Sequence, residues 1–204
     1  GAMDWQSIDL PGRHPALRLE QDTGMIIANE YLDALPVHRL VARQGALRET
    51  WVTWHDERFD WVEGELSSDT LARPVAAAGI RLHEGQLLEV RPGVVTWVAE
   101  VARTLTRGFV LVIDYGHESA DLYGPRHMAG SLVTYRDHVA YDDPLVAVGR
   151  QDITAHVDLG ELRRAAISCG LVPVLDSTLA RFLADLGLGE LLSDLGRDRA
   201  TDPQ

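Results

Sequence analysis

Two apolar runs in this chain end in acid. Met25-Ile26-Ile27-Ala28 stops at Asn29-Glu30, with Asp33 three residues on, and Phe109–Ile113 (FVLVI) stops at Asp114-Tyr115-Gly116. Open α/β sheets hold ligands outside the carboxyl ends of their parallel strands. If these two strands are neighbours, Glu30 and Asp114 open into one crevice. Paired carboxylates there would hold a cation such as a guanidinium bidentately, or take a proton as general base. The plain structural alternative is that Glu30 and Asp33 cap a short helix ahead of Pro36 and that Asp114 starts a turn.

Eight histidines raise the question of a metal. His138, Asp152 and His156 are the set that one strand would help gather. Yet no HxxxH, HExxH or CxxC spacing occurs, so no metal centre is expected, and metal-dependent hydrolysis is kept only as a third reading. There is no G-x-S-x-G elbow for a serine nucleophile, no G-x-G-x-x-G and no Walker loop. Gly187-Leu188-Gly189 lies in or after a late helix, the wrong setting for a phosphate loop.

The elements that must position these residues are legible in part. Gly24–Ala28 reads as a buried strand after the turn Asp22-Thr23-Gly24. Arg39–Val62 alternates around Gly45 and an acidic turn, a small antiparallel meander whose Trp51, Trp54 and Trp61 are expected on one packed face. Ser67–Ala78 suggests a helix broken near Pro74, and Leu87–Val90 a short strand. Val94, Trp97, Val98, Val101 and Leu105 repeat at helical spacing, with Gly108 where a capping glycine belongs. The strand Phe109–Ile113 follows, which gives a βαβ-like unit and a parallel sheet. Residues 117–152 read as a long polar loop. Ile153–Val157 reads as a strand, Asp158 as the N-cap of a helix to Ser168, and Leu171–Leu175 as the next strand. Ser177 or Thr178 caps a last helix.

Composition bounds the function. The 204 residues suffice for one α/β domain with a real core. The formal charge is −12, which argues against a nucleic-acid footprint but not against a basic protein partner. Every basic residue is Arg, so Schiff-base chemistry and a phosphate-loop lysine are excluded. Cys169 is the single cysteine and no apolar run nears the ~20 residues of a membrane span. A cytoplasmic setting is expected. Gly1-Ala2-Met3 reads as a cloning remnant, 4–192 as a single α/β domain with the meander inserted at about 39–63, and 193–204 as a flexible tail.

Several stretches together resemble one family, the MidA-like methyltransferases, which use S-adenosylmethionine and include the mitochondrial complex I assembly arginine methyltransferase. They are IIANEYLDALPVHR (26–39), LLEV (87–90), FVLVIDYG (109–116), GSLVTYRDHVAYDDP (130–144), DITAHVDLGELRRAA (152–166) and FLADLGL (182–188). Their order also matches. The resemblance implies a partial Rossmann-like methyltransferase sheet of the later strands, with Gly24–Ala28 as the fourth and Phe109–Ile113 as the fifth. It implies methyl transfer to a protein, with arginine as the acceptor. Glu30 and Asp33 would align the guanidinium so that a nitrogen lone pair faces the sulfonium methyl. Asn29 would touch the cofactor, and Asp114, Tyr115, His138 and Asp152 would line the substrate pocket.

The resemblance is to the family's carboxyl-terminal part. The family's glycine-rich loop and its cofactor-binding acid precede the matched pieces, and residues 4–23 are too few to supply them. Leu179 also stands where the late family motif has glutamine. The expectation is therefore a chain that lacks most of the cofactor site, is inactive or weak alone, and pairs as a homodimer through an exposed strand edge at Met25–Ala28. The alternative of another class is a non-catalytic protein-binding or assembly module built on the same fold.

Overall fold

The computed structural model describes residues 23–193. Of the segments read from sequence, residues 4–22, ahead of the first strand, and all but the first residue of the tail expected at 193–204 lie outside the described residues.

The first strand, β1 (Thr23–Asn29), ends at a tight turn over residues 30–35, where a short helix was expected. The meander follows as β2 (His38–Arg43), β3 (Ala46–His55) and β4 (Arg58–Gly64). Two-residue turns join them, Gln44-Gly45 and Asp56-Glu57, all four with positive φ. That is the type I′ geometry whose twist suits a hairpin. A 3₁₀ turn (Asp69–Ala72) runs into α1 (Arg73–Ala78), with the break at Pro74. Next, β5 (Leu87–Val90) pairs antiparallel with β2, so the sheet runs β4-β3-β2-β5.

The helix α2 (Pro92–Thr104) buries Val94, Trp97, Val98 and Val101, the stripe that its spacing requires. β6 (Arg107–Ile113) then lies parallel to β1 in register from Thr23↔Arg107 to Asn29↔Ile113. Gly108 is not the cap of α2, which ends on Leu105. It sits inside β6 with φ 144°, and a Cβ there would lie 1.8 Å from the Gly24 carbonyl oxygen. Only glycine permits that approach. Among the described residues β1 hydrogen-bonds to no strand except β6. Ile26 and Ala28 join Leu32, Leu35, the α2 stripe and Val157 in one core, while Met25 and Ile27 on the alternate face are exposed.

The expected long loop is organised. β7 (Gly116–His117), α3 (Ser119–Leu122) and a 3₁₀ turn (Pro125–His127) lead to the hairpin β8 (Val133–Arg136) and β9 (Val139–Tyr141). The single strand expected at 153–157 is two. β10 (Asp152–Thr154) pairs with β8, and β11 (Val157–Asp158) pairs parallel with β7. α4 (Leu159–Ser168) packs against α2. Asp158 caps it, its Oδ1 accepting from Glu161 N at 2.8 Å. Gly170, with φ 83°, and Leu171 close it through bonds to the carbonyls of Ile167 and Ala166.

A second compact unit begins at Val172. No strand forms at 171–175; Val172, Val174 and Leu175 are exposed and irregular. This unit holds α5 (Leu179–Asp185), capped by Thr178.

The tryptophan expectation is corrected. By strand register Trp54 and Trp61 share a face with Val52 and Phe59, whereas Trp51 faces the other way, against Gly64. Trp54 is 61% exposed and Trp51 43%, so neither is packed core.

Burial, and next the Asp158 charge, push the Glu161 carboxyl up to about 7, against the pull of Arg164. The unfolded chain releases this proton near pH 4.3, so the folded state loses stability as pH rises from there to about 7. Glu161→Gln is expected to gain about 1–2 kcal/mol over the parent at pH 8, after allowance for partial exposure. The gain should vanish near pH 4. Urea melts at both pH values check this; an equal difference at the two would contradict it.

Candidate functional site

The turn that leaves β1 is built around Asp114. Glu30 N–H continues the ladder to the Ile113 carbonyl at 2.8 Å, and Glu30 takes a left-handed φ of 47°. Leu32 and Asp33 then donate their N–H groups to Asp114 Oδ2 at 2.8 and 3.3 Å, and Tyr115 N–H donates to Oδ1 at 2.9 Å. Burial, and then the Asp33 charge, raise the Asp114 carboxyl above its usual range; the three amides oppose this.

This turn delivers Asp33 into the protein. Asp33 is buried, and its Oδ2 accepts from the Thr154 hydroxyl at 2.8 Å. Its Oδ1 is buried with no hydrogen-bond partner. Asp33 and Thr154 line a cavity of about 480 Å³ whose opposite wall is the sheet face of Val52, Phe59 and Trp61. The Thr50 hydroxyl, also on the cavity, is another buried polar atom without a partner. Buried polar atoms are normally paired, so an acceptor and a hydroxyl without partners set this wall of the cavity apart from ordinary core.

Two arginines frame the cavity. Arg39 stacks on Trp61, its guanidinium carbon 5.0 Å from the ring centroid, and reaches the buried Glu89 at 3.4 Å. Arg91 is buried and spends its donors on main-chain carbonyls. They are Leu35 (3.0 Å), Asp33 (2.7 Å), Ala155 (2.9 Å) and His156 (3.5 Å). Burial lowers its pKa, while the charges of Asp114, Asp33 and Glu89 raise it. Arg91 thus ties the turn after β1 to the crossing between β10 and β11.

The structure brings together some of the expected site residues. Glu30 is exposed beside Asp33 on the same turn, and its carboxylate is bonded by the Tyr115 hydroxyl. Burial, that bond and the nearby carboxylates hold the Tyr115 hydroxyl protonated well above its ordinary range. Asn29 is exposed at the end of β1. Asp114 lies beside Asp33, but its oxygens are occupied by backbone amides, which is the turn-forming alternative. His138 and Asp152 are not brought to the cavity. His138 is exposed at the tip of the β8–β9 hairpin with φ 62°, and Asp152 opens β10 facing solvent. From the same strand it is Thr154 that reaches Asp33. Arg91 and Thr154 were missed, since nothing in the type or spacing of either marks it as more than a turn or strand residue. The histidines that gather are His117, His127 and His156, not His138 with Asp152. Burial, and then His117 and His127, hold His156 below the ordinary imidazole value.

Comparison with known proteins agrees with this architecture. Residues 4–175 match a family described as "Putative S-adenosyl-L-methionine-dependent methyltransferase". The protein arginine methyltransferase NDUFAF7, mitochondrial, of Rattus norvegicus is 30% identical over 87% of this chain, and that of Bos taurus 31% over 87%. The alignments cover 38% of each of those relatives, so the chain spans about two fifths of their length. A solved COG1565 superfamily member from Burkholderia thailandensis, bound to S-adenosyl-homocysteine, superposes with a TM-score of 0.82 at 31% identity. That match covers 89% of this chain and 47% of the other. A Rossmann-like methyltransferase fold accounts for the parallel β1–β6 pair and its covering helices.

Proposed function

Starting from a chain that belongs to the S-adenosyl-L-methionine-dependent methyltransferase family, we propose that it forms the acceptor side of a protein arginine methyltransferase. The observation that carries this reading is Asp33, a buried acid whose Oδ1 has no hydrogen-bond partner and which lines the cavity walled by Trp61 and Phe59. A guanidinium fits both features. Its N–H groups pair with carboxylate oxygens, and its flat face stacks on aromatic rings. The curated relatives named above are themselves described as protein arginine methyltransferases, which supports the choice of acceptor.

S-adenosylmethionine, when bound, supplies the electrophilic methyl group. Asn29, exposed at the carboxyl end of β1, would touch that cofactor, since ligands of such sheets sit at the carboxyl ends of their strands. The work of the chain's own residues is orientation. Asp33 fixes one guanidinium nitrogen and Trp61 with Phe59 fix the plane, which turns a free encounter into a near-attack geometry. Thr154 holds the Asp33 carboxylate in its rotamer. After transfer the methylated guanidinium carries an extra proton, and Glu30, exposed beside Asp33, accepts it and passes it to water.

A second reading, a protein-binding module without catalysis, is favoured by the exposed Trp54 on the same face as Trp61. Titration calorimetry with paired peptides tests the choice of acceptor. Peptides carrying one arginine should bind at least about 10-fold tighter than the same peptides with lysine, since lysine gives a point charge without the planar fork. Equal affinities would remove arginine as the acceptor. Label from S-adenosylmethionine appearing in methylarginine would remove the module reading.

A further inference from the structure

His117, His127 and His156 come from separate elements and meet in space. His117 lies on β7, His127 ends the 3₁₀ turn after α3, and His156 lies in the crossing between β10 and β11. One ring nitrogen from each lies within 4.8 Å of the others. The ring centroids are 4.8, 5.0 and 6.2 Å apart. Close backbone contact sets part of this arrangement. At Gly116 a Cβ would lie 2.3 Å from the Val157 carbonyl oxygen, so only glycine lets β7 approach the segment that carries His156.

The surroundings of two of the three rings match a metal site in one further respect. His127 Nδ1 lies 2.9 Å from the Asp121 carbonyl oxygen, so it carries the proton and leaves the Nε2 lone pair free. His117 Nδ1 lies 3.3 Å from the Asp121 carboxylate. Metal-bound histidines typically donate their second N–H to a carbonyl or carboxylate in this way. For His156, Nδ1 is buried with no hydrogen-bond partner, while its main-chain N–H donates to the Ser131 hydroxyl at 3.2 Å and its carbonyl accepts from Arg91.

We propose that His117, His127 and His156 form a binding site for a divalent transition metal of the zinc class. Three imidazoles and one open position make a tetrahedral site with room for a solvent ligand. Zinc–nitrogen bonds of about 2.0–2.1 Å place ligands roughly 3.3 Å apart, so each pair of ligand nitrogens closes by up to about 1.5 Å when the ion binds, a movement of under about 1 Å per ring. The ion would clamp β7, the 3₁₀ turn and the crossing that Arg91 also grips. It would thereby stiffen the side of the cavity that presents Thr154 to Asp33.

Equilibrium dialysis of the untagged protein against Zn²⁺, with elemental analysis, tests the proposal. One equivalent per chain should bind with a dissociation constant in the micromolar range or below, and Co²⁺ should give visible ligand-field bands of tetrahedral intensity. His127→Gln should weaken binding by more than 100-fold, more than a partner of a ligand would. Asp121→Asn should weaken it by about 10–100-fold as a positioning residue. Both variants should keep the metal-free melting temperature within a few degrees, which separates lost ligation from lost fold. No saturable binding, or equal binding by the parent and His127→Gln, would overturn it.

Discussion

Arg91→Met is expected to lower the stability of the unit ending at Leu171 by about 3–5 kcal/mol, the cost of removing one partner from a buried charge network. Methionine fills similar volume but donates nothing. Four main-chain carbonyls, those of Asp33, Leu35, Ala155 and His156, would lose their guanidinium donor. A buried group left unpaired costs about 1–3 kcal/mol. Asp33 and Asp114 would lose the nearby positive charge that burial makes valuable to them. For a domain of this size each kcal/mol shifts the melting temperature by about 2–4 °C, so a fall near 10 °C is expected. Arg91→Lys should recover only part, because one ammonium cannot span carbonyls on two separate segments. Calorimetry of the three proteins decides the matter. A loss under about 1 kcal/mol in Arg91→Met would show that water replaces the guanidinium and that Arg91 is not the tie described here.

How far the sequence foretold these features depended on whether the signal was local. β1, α2, β6 and α4 were legible because a buried strand or an amphipathic helix writes its burial into its own residues, as the α2 stripe does. The Asp158 cap was legible for the same reason. The β8–β9 hairpin was not. Its turn is Asp137-His138, both at positive φ without glycine, so the usual Asn-Gly signal was absent. Gly108 read as a helix cap because its true constraint, the Gly24 carbonyl, is 84 positions away in sequence. The segment 30–35 read as a short helix because the amides that an N-cap would satisfy are satisfied by Asp114, from another strand. The site divides along the same line. Asp33 was found from its place after a strand, whereas Arg91, Thr154 and the histidine trio become visible only once distant segments are placed together.

Asp33→Asn is the substitution with the largest expected effect on ligand recognition. The two side chains are nearly isosteric, and the amide oxygen of asparagine accepts the Thr154 hydroxyl as the carboxylate does. The amide nitrogen then takes the place of the unpartnered Oδ1 and presents a donor where a guanidinium also presents donors. The negative charge is lost and a repulsive contact is gained. Truncating a buried, hydrogen-bonded charge pair costs roughly 2–5 kcal/mol of binding, so the arginine peptide should bind about 30-fold or more weakly, while the lysine peptide changes less. Glu30→Gln acts at an exposed position, where a charge pair contributes about 0–1 kcal/mol, and should cost a few-fold at most. The fold should change little with Asp33→Asn, because the supporting charge that buried Arg91 loses is offset by relief at Asp114. Removing the Asp33 charge relieves the repulsion that helps raise the Asp114 carboxyl, so that group's pKa should fall and the melting temperature should hold. Peptide affinity that stays within about 3-fold of the parent, in a protein that melts normally, would mean that the buried oxygen of Asp33 does not face the acceptor. The cavity would then recognise its ligand through Trp61 and Phe59 alone, and any selectivity for arginine over lysine would rest on stacking of the flat guanidinium.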